Sequence, residues 1–367
     1  MDLEERIELI CRRPTDEVVT IEELKMLLET RQCPVAYDGF EGSGIPHIAT
    51  GLLKVLKVKD ITDAGCKHIF FLADWHSAIN GKLDGNFDNI RTACNLFIEV
   101  WKSLLEAMDV DLSKVEFKFG TEIYDREYWK KVLQISKEIS LGRAKRALTI
   151  AGRKEAEVQD LASFFYIPMQ VADIFHMNVD ICQLGIDQRK ANILAREIGP
   201  KIGFWKPTCV HHHLLMSLQG PKRMGFEEDE QIDRQVSSKM SKSNPETCIY
   251  VTDTPTQIET KINSAFCPPK DIHNNPVIEL CRYLVLRGGL DDTLEVDRPS
   301  KFGGPVTFQR IEDLEEAYQN GGLHPLDLKH AISAKITDLL EPCRNHFEND
   351  KRANELLQTT KGFDITR

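Results

Sequence analysis

Lys239 and Lys242 lie close together in the stretch VSSKMSKSNPETC, among small hydroxyl residues and one methionine. The Asn244-Pro245 pair that follows predicts a loop. Two ammonium groups on a loop that closes over a phosphate stabilise negative charge as it develops, more in the transition state than in the ground state. A loop that carries two lysines is also commonly no more than a solvated surface loop. The residues of this stretch alone leave both interpretations open.

The glycine-rich stretch DGFEGSGIPHIATG is a second candidate for phosphate binding. Glycines such as Gly39 and Gly44 allow backbone N–H groups to approach an anion closely at the start of a helix. We expect a helix with Pro46 in its first turn and Gly65 at its end, so that the ring of His47 can hydrogen-bond a polyphosphate. A tight structural turn with an incidental histidine is the alternative. Because the chain contains no GxxxxGK[ST] motif, phosphate chemistry would have to proceed without a P-loop.

The segment FYIPMQVADIF predicts a helix whose polar residues share one face. Tyr166, Gln170 and Asp173 are spaced i, i+4 and i+7, which places them on the same side of a helix. A buried polar group without a partner costs about 1–3 kcal/mol. Either a polar ligand or an internal hydrogen-bond network could supply the partners, and the spacing does not choose between them.

Three consecutive histidines, His211 to His213, end a predicted strand. Successive strand residues point to opposite faces of a sheet, so three in a row cannot converge on one metal ion. We therefore expect a strand end near a nucleotide and no metal site.

The composition is that of an ordinary soluble globular protein, with 367 residues, 41% hydrophobic and 28% charged. This length suggests two domains. The formal net charge of −10 provides no global basic field, so an anionic partner would need local basic patches. Ten cysteines without a CxxC pair indicate reduced thiols rather than a disulfide framework or a zinc finger. With neither a signal peptide nor an apolar run of about 18 residues, we expect a cytoplasmic protein with no membrane partner.

The elements that must position the candidate residues alternate between strand and helix. Buried-strand patterns occur in CPVAYDGF, KHIFFLADW, VEFKF, VDICQLGID and PTCVHHHLL. Their alternation with helices predicts an α/β fold with a doubly wound, Rossmann-like parallel sheet. We predict two helices in residues 1–31 and the sheet domain in 32–254, with a helical insertion at about 120–165 and the lysine loop at 236–246. Residues 255–367 are expected to form an α-helical domain without strands.

The two phosphate-binding candidates together resemble the two signatures of class I aminoacyl-tRNA synthetases. These are His47-Ile48-Ala49-Thr50 and Lys239-Met240-Ser241-Lys242-Ser243. The first departs from the common His-Ile-Gly-His form, with Ala49 in place of Gly and Thr50 in place of the second His. It is similar to the form in cytosolic eukaryotic tyrosyl-tRNA synthetases. The second, hereafter the KMSKS segment, matches in full.

Other motifs extend the resemblance from about residue 30 to about residue 350. The helix with Tyr166, Gln170 and Asp173 looks like the Tyr-xxx-Gln-xx-Asp helix of tyrosyl-tRNA synthetases. The stretches GIDQ and HPLDLK also occur in that family's order. The resemblance implies that tyrosine is activated by ATP and then transferred to the 3′ end of tRNA(Tyr), with AMP and pyrophosphate released.

The resemblance also implies roles for individual residues. The phenol hydroxyl of tyrosine would be held by Tyr37 and Asp173, and its α-ammonium end by Tyr166, Gln170 and Gln188. His47, Lys239 and Lys242 would be catalytic, stabilising charge without becoming covalently attached. ATP would contact Gly39, Gly44, His47, Thr50, Gly185, Asp187, Lys239, Met240, Ser241, Lys242 and Ser243. Mg²⁺ would arrive with ATP and keep much of its water, so no cage of protein carboxylates is expected.

Contacts with tRNA are implied for two regions, and a homodimer is implied for the whole protein. The residues are Arg143, Arg146, Arg189, Lys190, Phe302, His324 and Asp327. For the basic stretch SLGRAKRALTIAGRKE, which also contains Arg153 and Lys154, a solvated helix face is the alternative. For HPLDLK, a loop histidine and a helix-capping aspartate are the alternative.

The sequence is also compatible with three other functions. A tryptophanyl-tRNA synthetase shares the architecture, although Tyr37 with Asp173 favours a phenol hydroxyl. A non-catalytic synthetase-like tRNA-binding protein would not need an intact KMSKS segment. A nucleotidyltransferase of small metabolites would not need the HPLDLK region.

Overall fold

The computed structural model describes residues 1–147, 160–223, 229–242 and 244–364. The predicted positions Arg153, Lys154 and Ser243 lie outside the described residues. The main sheet has six strands: β1 (Thr15–Val19), β2 (Val35–Phe40), β3 (Lys67–Leu72), β4 (Val115–Phe119), β5 (Ile181–Gly185) and β6 (Thr208–His212). Their order across the sheet is β1-β6-β5-β2-β3-β4. The strands β2 to β6 are mutually parallel, which confirms the predicted doubly wound sheet.

Helices cover both faces of the sheet and form most of the remaining chain. The α-helices are α1 (Leu3–Cys11), α2 (Ile21–Thr30), α3 (Leu52–Asp63), α4 (Asp74–Ile79), α5 (Phe87–Ala107), α6 (Gly120–Ile123), α7 (Arg126–Glu138), α8 (Leu141–Ala147), α9 (Tyr166–His176), α10 (Arg189–Ile198), α11 (Glu230–Ser238), α12 (Pro255–Ser264), α13 (Pro276–Leu280), α14 (Ile311–Gln319), α15 (Pro325–Asn349) and α16 (Lys351–Lys361). The helix predicted to carry the three polar residues is α9, and all three are buried.

The prediction for residues 1–31 missed a strand. The helices α1 and α2 are present, but β1 lies between them and pairs antiparallel with β6, with Val18 opposite Val210. Five residues with one exposed side chain give too short a pattern to distinguish a strand from a linker. The partner of β1 is almost two hundred residues away, which no local pattern reveals.

The sheet opens into a crevice between β2 and β5. Among the described residues these strands pair only at Ala36 with Ile181 and at Tyr37 with Cys182. By contrast, β2 stays paired with β3 as far as Phe40. The order of the strands reverses at this point, and ligands of open α/β sheets bind at the carboxyl ends of the strands where this happens.

The helix expected to start at Pro46 starts later. Residues 46–51 form a turn, and α3 begins at Leu52, so the prediction that His47 lies in a first helical turn is wrong. The turn pairs instead with a distant segment: His47 bridges Tyr250, and the N–H of Ile48 donates to the carbonyl of Ile249 at 2.8 Å. These tertiary hydrogen bonds take the place of helical ones.

The C-terminal region is mainly helical, as predicted, but it contains a small hairpin. The strands β7 (Leu294–Val296) and β8 (Val306–Phe308) pair antiparallel, so the expectation of no strands is wrong. Three residues are too few to show a two-residue period. One continuous hydrophobic core joins this region to the sheet domain, from Trp101 on α5 to Ile336 on α15. All ten cysteines are free thiols. None of the helices in the described ranges is long and apolar enough to span a membrane.

Candidate active site

The two lysines of the KMSKS segment reach opposite sides of the crevice. The Nζ atom of Lys239 is 2.9 Å from Oδ2 of Asp187, which follows β5. The Nζ atom of Lys242 donates to the backbone carbonyl of Ser43 at 2.8 Å and contacts its Oγ at 3.2 Å. Ser43 belongs to the glycine-rich stretch that follows β2. The two predicted phosphate-binding stretches are therefore in direct contact.

The ion pair between Lys239 and Asp187 keeps both groups charged. Burial would raise the pKa of the Asp187 carboxyl, but the Lys239 ammonium outweighs this and lowers the pKa below its ordinary value. The Asp187 carboxylate in turn raises the pKa of Lys239. An anionic ligand arriving at Lys239 thus meets an ammonium group that stays protonated.

Lys242 is in a different electrostatic environment. Desolvation and the nearby Lys82 ammonium lower the pKa of Lys242 to about 7. Its Nζ lies 4.5 Å from the centroid of the Phe97 ring, a cation–π contact that favours the protonated form. A phosphate in this position would raise the pKa of Lys242 again, because opposite charge favours the charged form.

His47 is buried and stays neutral at physiological pH. Burial and the ammonium groups of Lys242 and Lys239 lower the pKa of its imidazole to about 3. Its Nδ1 has no hydrogen-bond partner within the described part of the chain. Thr50, which replaces the second signature histidine, is used inside the turn: its Oγ1 contacts the backbone N and O of His47 at 3.2 and 3.1 Å.

Asp173 is at the centre of a buried polar cluster. Its Oδ1 accepts a hydrogen bond from the Tyr124 hydroxyl at 2.7 Å, and its Oδ2 is 3.7 Å from Nε2 of His76. Burial raises the pKa of Asp173 to about 8, against hydrogen bonds from Tyr124 and Tyr128 that lower it. The hydroxyl of Tyr37 is buried without a partner among the described residues. Burial, with the nearby Cys182 and Asp173, raises the pKa of this hydroxyl well above its ordinary value.

The other predicted pocket residues are connected to the same crevice. The Tyr166 hydroxyl donates to Oε1 of Glu41 at 3.0 Å. Nε2 of Gln170 donates to Oε1 of Gln188 at 3.0 Å. The carbonyl Oε1 of Gln170 is buried without a partner in the described ranges. This leaves a hydrogen-bond acceptor available where the resemblance expects an ammonium group.

At two positions near the crevice a residue with a side chain would be unfavourable, one for lack of space and one for its backbone conformation. A Cβ at Gly185 would lie 2.5 Å from Oδ1 of Asp187 and 2.8 Å from Leu214, so a side chain there would displace the carboxylate that pairs with Lys239. Gly44 has a φ of 82°, a left-handed conformation that glycine adopts without strain. Gly39 pairs with Phe71 of β3 and has only ordinary contacts around its Cβ position.

Comparisons with known proteins agree with this geometry. The family model described as tRNA synthetases class I (W and Y) matches residues 30–341. A tyrosine–tRNA ligase of Thermococcus sibiricus and one of Pyrococcus furiosus are each 41% identical over 100% of both chains. The crystal structure of the Pyrococcus horikoshii tyrosyl-tRNA synthetase complexed with L-tyrosine has a TM-score of 0.91 and 40% identity, covering 98% of this chain and 100% of that one.

The chain belongs to the class I tyrosyl-tRNA synthetases. The family predicted from the sequence is thus confirmed. The two relatives are named as tyrosine–tRNA ligases and not as tryptophan–tRNA ligases.

Sequence reasoning missed three side chains that contact the predicted tyrosine-binding residues. Tyr124 and His76 contact Asp173, and Glu41 accepts from Tyr166. Each follows the carboxyl end of a strand: Glu41 after β2, His76 after β3 and Tyr124 after β4. Position after a strand was therefore the signal that could have identified them.

Below the crevice a buried lysine joins β2 to β6. Nζ of Lys54 pairs with the Asp38 carboxylate and is 2.6 Å from Nε2 of His212. Nε2 of Gln183 lies 2.7 Å from Nδ1 of the same histidine. Burial raises the pKa of Asp38 to about 6, although Lys54 opposes this.

The three consecutive histidines have different neighbours. His211 contacts Glu17 at 2.7 Å, His212 contacts Lys54, and His213 contacts Asp16 at 2.8 Å. Within the described ranges no group of three His, Cys, Asp or Glu residues is arranged to hold a metal ion.

The residues predicted to contact tRNA lie in two separate regions. Arg143 and Arg146 are on α8, and Arg189 and Lys190 begin α10. Arg143 pairs with Glu197 on α10, and Arg189 pairs with Glu17 at 2.9 Å.

The second region is at the start of α15. His324 is the N-cap of this helix, and its Nδ1 accepts the N–H of Leu326 at 3.1 Å. Asp327 is in the first turn of the helix, so the alternative interpretation in which the aspartate caps the helix is wrong. Phe302 ends the 3-10 turn Ser300–Phe302.

Proposed function

We propose that the crevice between β2 and β5 activates L-tyrosine with ATP and then transfers the tyrosyl group to the 3′ end of tRNA(Tyr). The observation that carries this proposal is the contact of Lys239 with Asp187 and of Lys242 with Ser43. It brings both lysines to the crevice, with His47 close enough to be influenced by both.

The buried end of the site suits the side chain of tyrosine. Asp173 accepts hydrogen bonds, and the free hydroxyl of Tyr37 needs a partner. A phenol hydroxyl donates to the first and accepts from the second. Phenylalanine would leave the Tyr37 hydroxyl unpaired, at a cost of about 1–3 kcal/mol for a buried polar group, and would deprive Asp173 of one hydrogen bond. The α-ammonium group of tyrosine would bind near Gln170 Oε1 and the Tyr166 hydroxyl, with Gln188 orienting Gln170.

The open end of the site suits ATP. Gly185 and Asp187 would contact the ribose, and Gly39, Gly44 and Thr50 shape the turn around the phosphates. The triphosphate would be held by the KMSKS segment, including Met240, Ser241 and Ser243, and would carry Mg²⁺ as part of the substrate. A phosphate bound by Lys239 displaces the carboxylate of Asp187 from its ion pair, which frees this carboxylate for the ribose hydroxyls.

The chemistry then needs only positioning and charge stabilisation. A carboxylate oxygen of tyrosine attacks the α-phosphorus in line, and the bond to the bridging oxygen of pyrophosphate breaks. Lys239 and Lys242 neutralise the charge that moves onto pyrophosphate. His47, a neutral imidazole, donates a hydrogen bond to the phosphate rather than a positive charge. In the second step a ribose hydroxyl of the tRNA terminus attacks the tyrosyl carbonyl carbon, and AMP leaves.

The two regions predicted to contact tRNA would bind different parts of it. Arg143, Arg146, Arg189 and Lys190 would face the acceptor stem near the crevice. Phe302, His324 and Asp327 would contact the anticodon in the C-terminal region.

We also propose a homodimer that acts in the cytoplasm. Large apolar side chains are exposed in the insertion, including Trp129 and Leu133 on α7, Leu161 and Phe165. Exposed apolar patches of this kind mark protein interfaces. The free thiols fit a reducing compartment.

The decisive test is pyrophosphate exchange with each of the twenty amino acids, followed by charging of tRNA(Tyr). Exchange is expected with tyrosine alone, and the same protein should then charge tRNA(Tyr) with tyrosine. Exchange with tryptophan, or with none, would contradict the proposal.

A further inference from the structure

Glu279 lies on α13 in the C-terminal region, yet its carboxylate contacts residues 213–216, which lie beside the KMSKS segment. Oε2 accepts a hydrogen bond from the backbone N–H of Met216 at 2.8 Å. Oε1 is 3.2 Å from Nε2 of His213. The Glu279 side chain is 7% exposed, so both contacts are largely shielded from water and are stronger than they would be at the surface.

Met216 is the backbone partner of Lys239. The two residues form an antiparallel bridge. Hydrogen bonds of 2.7 Å on both sides of it join residues 215–217 to residues 238–240. The position of the 215–217 segment therefore sets the position from which the Lys239 side chain reaches Asp187.

A second contact holds the chain just before the 215–217 segment. Nδ1 of His213 is 2.8 Å from Oδ2 of Asp16, and this oxygen also accepts from Nε2 of Gln235 at 3.2 Å. Gln235 is on α11, the helix that ends one residue before Lys239. Although burial alone would lower it, the carboxylates of Glu279 and Asp16 raise the pKa of His213 to about 9. His213 is thus an imidazolium between two carboxylates at neutral pH.

Packing is incomplete around the 215–217 segment. A cavity of about 110 Å³ is lined by residues that include Met216, Gln235, Ser238 and Glu279. Side chains at a cavity lack close neighbours on one side. Hydrogen bonds and charges therefore contribute a larger share of the interactions that hold the 215–217 segment than they would in a fully packed core.

We propose that Glu279 is a positioning residue for tyrosine activation, which holds the 215–217 segment and through it the ammonium of Lys239 over the nucleotide. This inference rests on the role proposed above for Lys239. It gives the C-terminal region a direct connection to the KMSKS segment that bypasses the tyrosine pocket.

The test compares Glu279→Ala, Glu279→Gln and a matched control, Glu315→Ala. Glu315 forms an ion pair with Arg282 at 2.7 Å in the same region, so its loss removes a similar interaction at a different place. In Glu279→Ala we expect the kcat of tyrosine-dependent pyrophosphate exchange to fall at least about tenfold, as for a lost charge-assisted hydrogen bond. The KM for tyrosine should stay within about twofold of the original, because the pocket is untouched.

The conservative variant separates positioning from general stability. Glu279→Gln can keep its oxygen on the Met216 N–H and turn its NH2 group to Nε2 of His213, which accepts once it has lost its proton, so this variant should recover most of kcat. Hydrogen exchange at the amides of Ser217 and Met240 should accelerate in Glu279→Ala but not in Glu315→Ala. If Glu279→Ala does not fold, Glu279→Asp replaces it: this variant keeps the charge but withdraws the carboxylate from Met216, and kcat should fall.

Several results would overturn the inference. They are an unchanged kcat, a tyrosine KM that rises in step with the loss, an equal loss in Glu315→Ala, or no recovery in Glu279→Gln. Lys239→Ala is measured in parallel. If it leaves kcat unchanged, the proposed role of Lys239 fails; if it lowers kcat while the Glu279 variants do not, only the inference about Glu279 fails.

Discussion

Lys239 and Asp187, 52 residues apart in sequence, form a 2.9 Å ion pair at the crevice of the sheet. The lysine comes from the KMSKS segment and the aspartate from the end of β5. Each charge stabilises the ionised form of the other. In the site proposed above, the pair would therefore keep the ammonium that binds phosphate and the carboxylate that binds ribose in place until ATP binds to both.

The activity of Lys242 should depend on pH. Its pKa is lowered to about 7, and only the protonated form stabilises phosphate charge, so kcat/KM for ATP should fall as pH rises through about 7. This ratio reports ionisations of the free enzyme. Lys242→Arg, which stays protonated, should give a flat profile from pH 7 to about 9. A wild-type profile that is equally flat would contradict the assignment.

Loss of Lys242 should affect the rate of activation rather than tyrosine binding. Lys242→Ala is expected to lower the single-turnover rate of adenylate formation on the order of 10²-fold, as when one preorganised donor to a developing charge is removed. The tyrosine Kd should change less than about twofold. A defect confined to binding would show that the ammonium does not act in the transition state.

His47 should act as a neutral donor. Because the pKa of His47 is lowered to about 3, kcat should show no step near pH 6.5. His47→Gln retains an N–H donor and should keep more activity than His47→Ala, measured as tyrosine-dependent exchange. An increase of kcat at saturating ATP as pH falls through 6.5 would indicate an imidazolium instead.

Asp173 should govern discrimination against phenylalanine. In Asp173→Ala, the penalty for leaving a buried acceptor unpaired disappears, so the ratio of kcat/KM for tyrosine to that for phenylalanine should fall about 10- to 100-fold. The KM for tyrosine should rise as well. Competitive exchange assays measure both quantities, and an unchanged ratio would remove Asp173 from the pocket.

His324 should have two separable roles. His324→Ala removes the helix cap and should lower the free energy of unfolding by about 1 kcal/mol. His324→Ser restores an acceptor for the Leu326 N–H and should recover stability. Both variants should show reduced kcat/KM for tRNA charging with normal adenylate formation. If charging recovers together with stability in His324→Ser, the residue is only a cap.

The sequence by itself determined the elements and the chemistry of single residues. The strands β2 to β6, the common face of Tyr166, Gln170 and Asp173, and the signature lysines all follow from local periodicity and residue type. Only the tertiary structure decided which of these groups meet. The pairing of β1 with β6, the turn that holds His47 against Tyr250, and the contacts of Tyr124 and His76 with Asp173 each join residues far apart in the chain. Local patterns reflect backbone conformation and burial over a few residues, whereas partners depend on how whole elements pack, which no short stretch encodes.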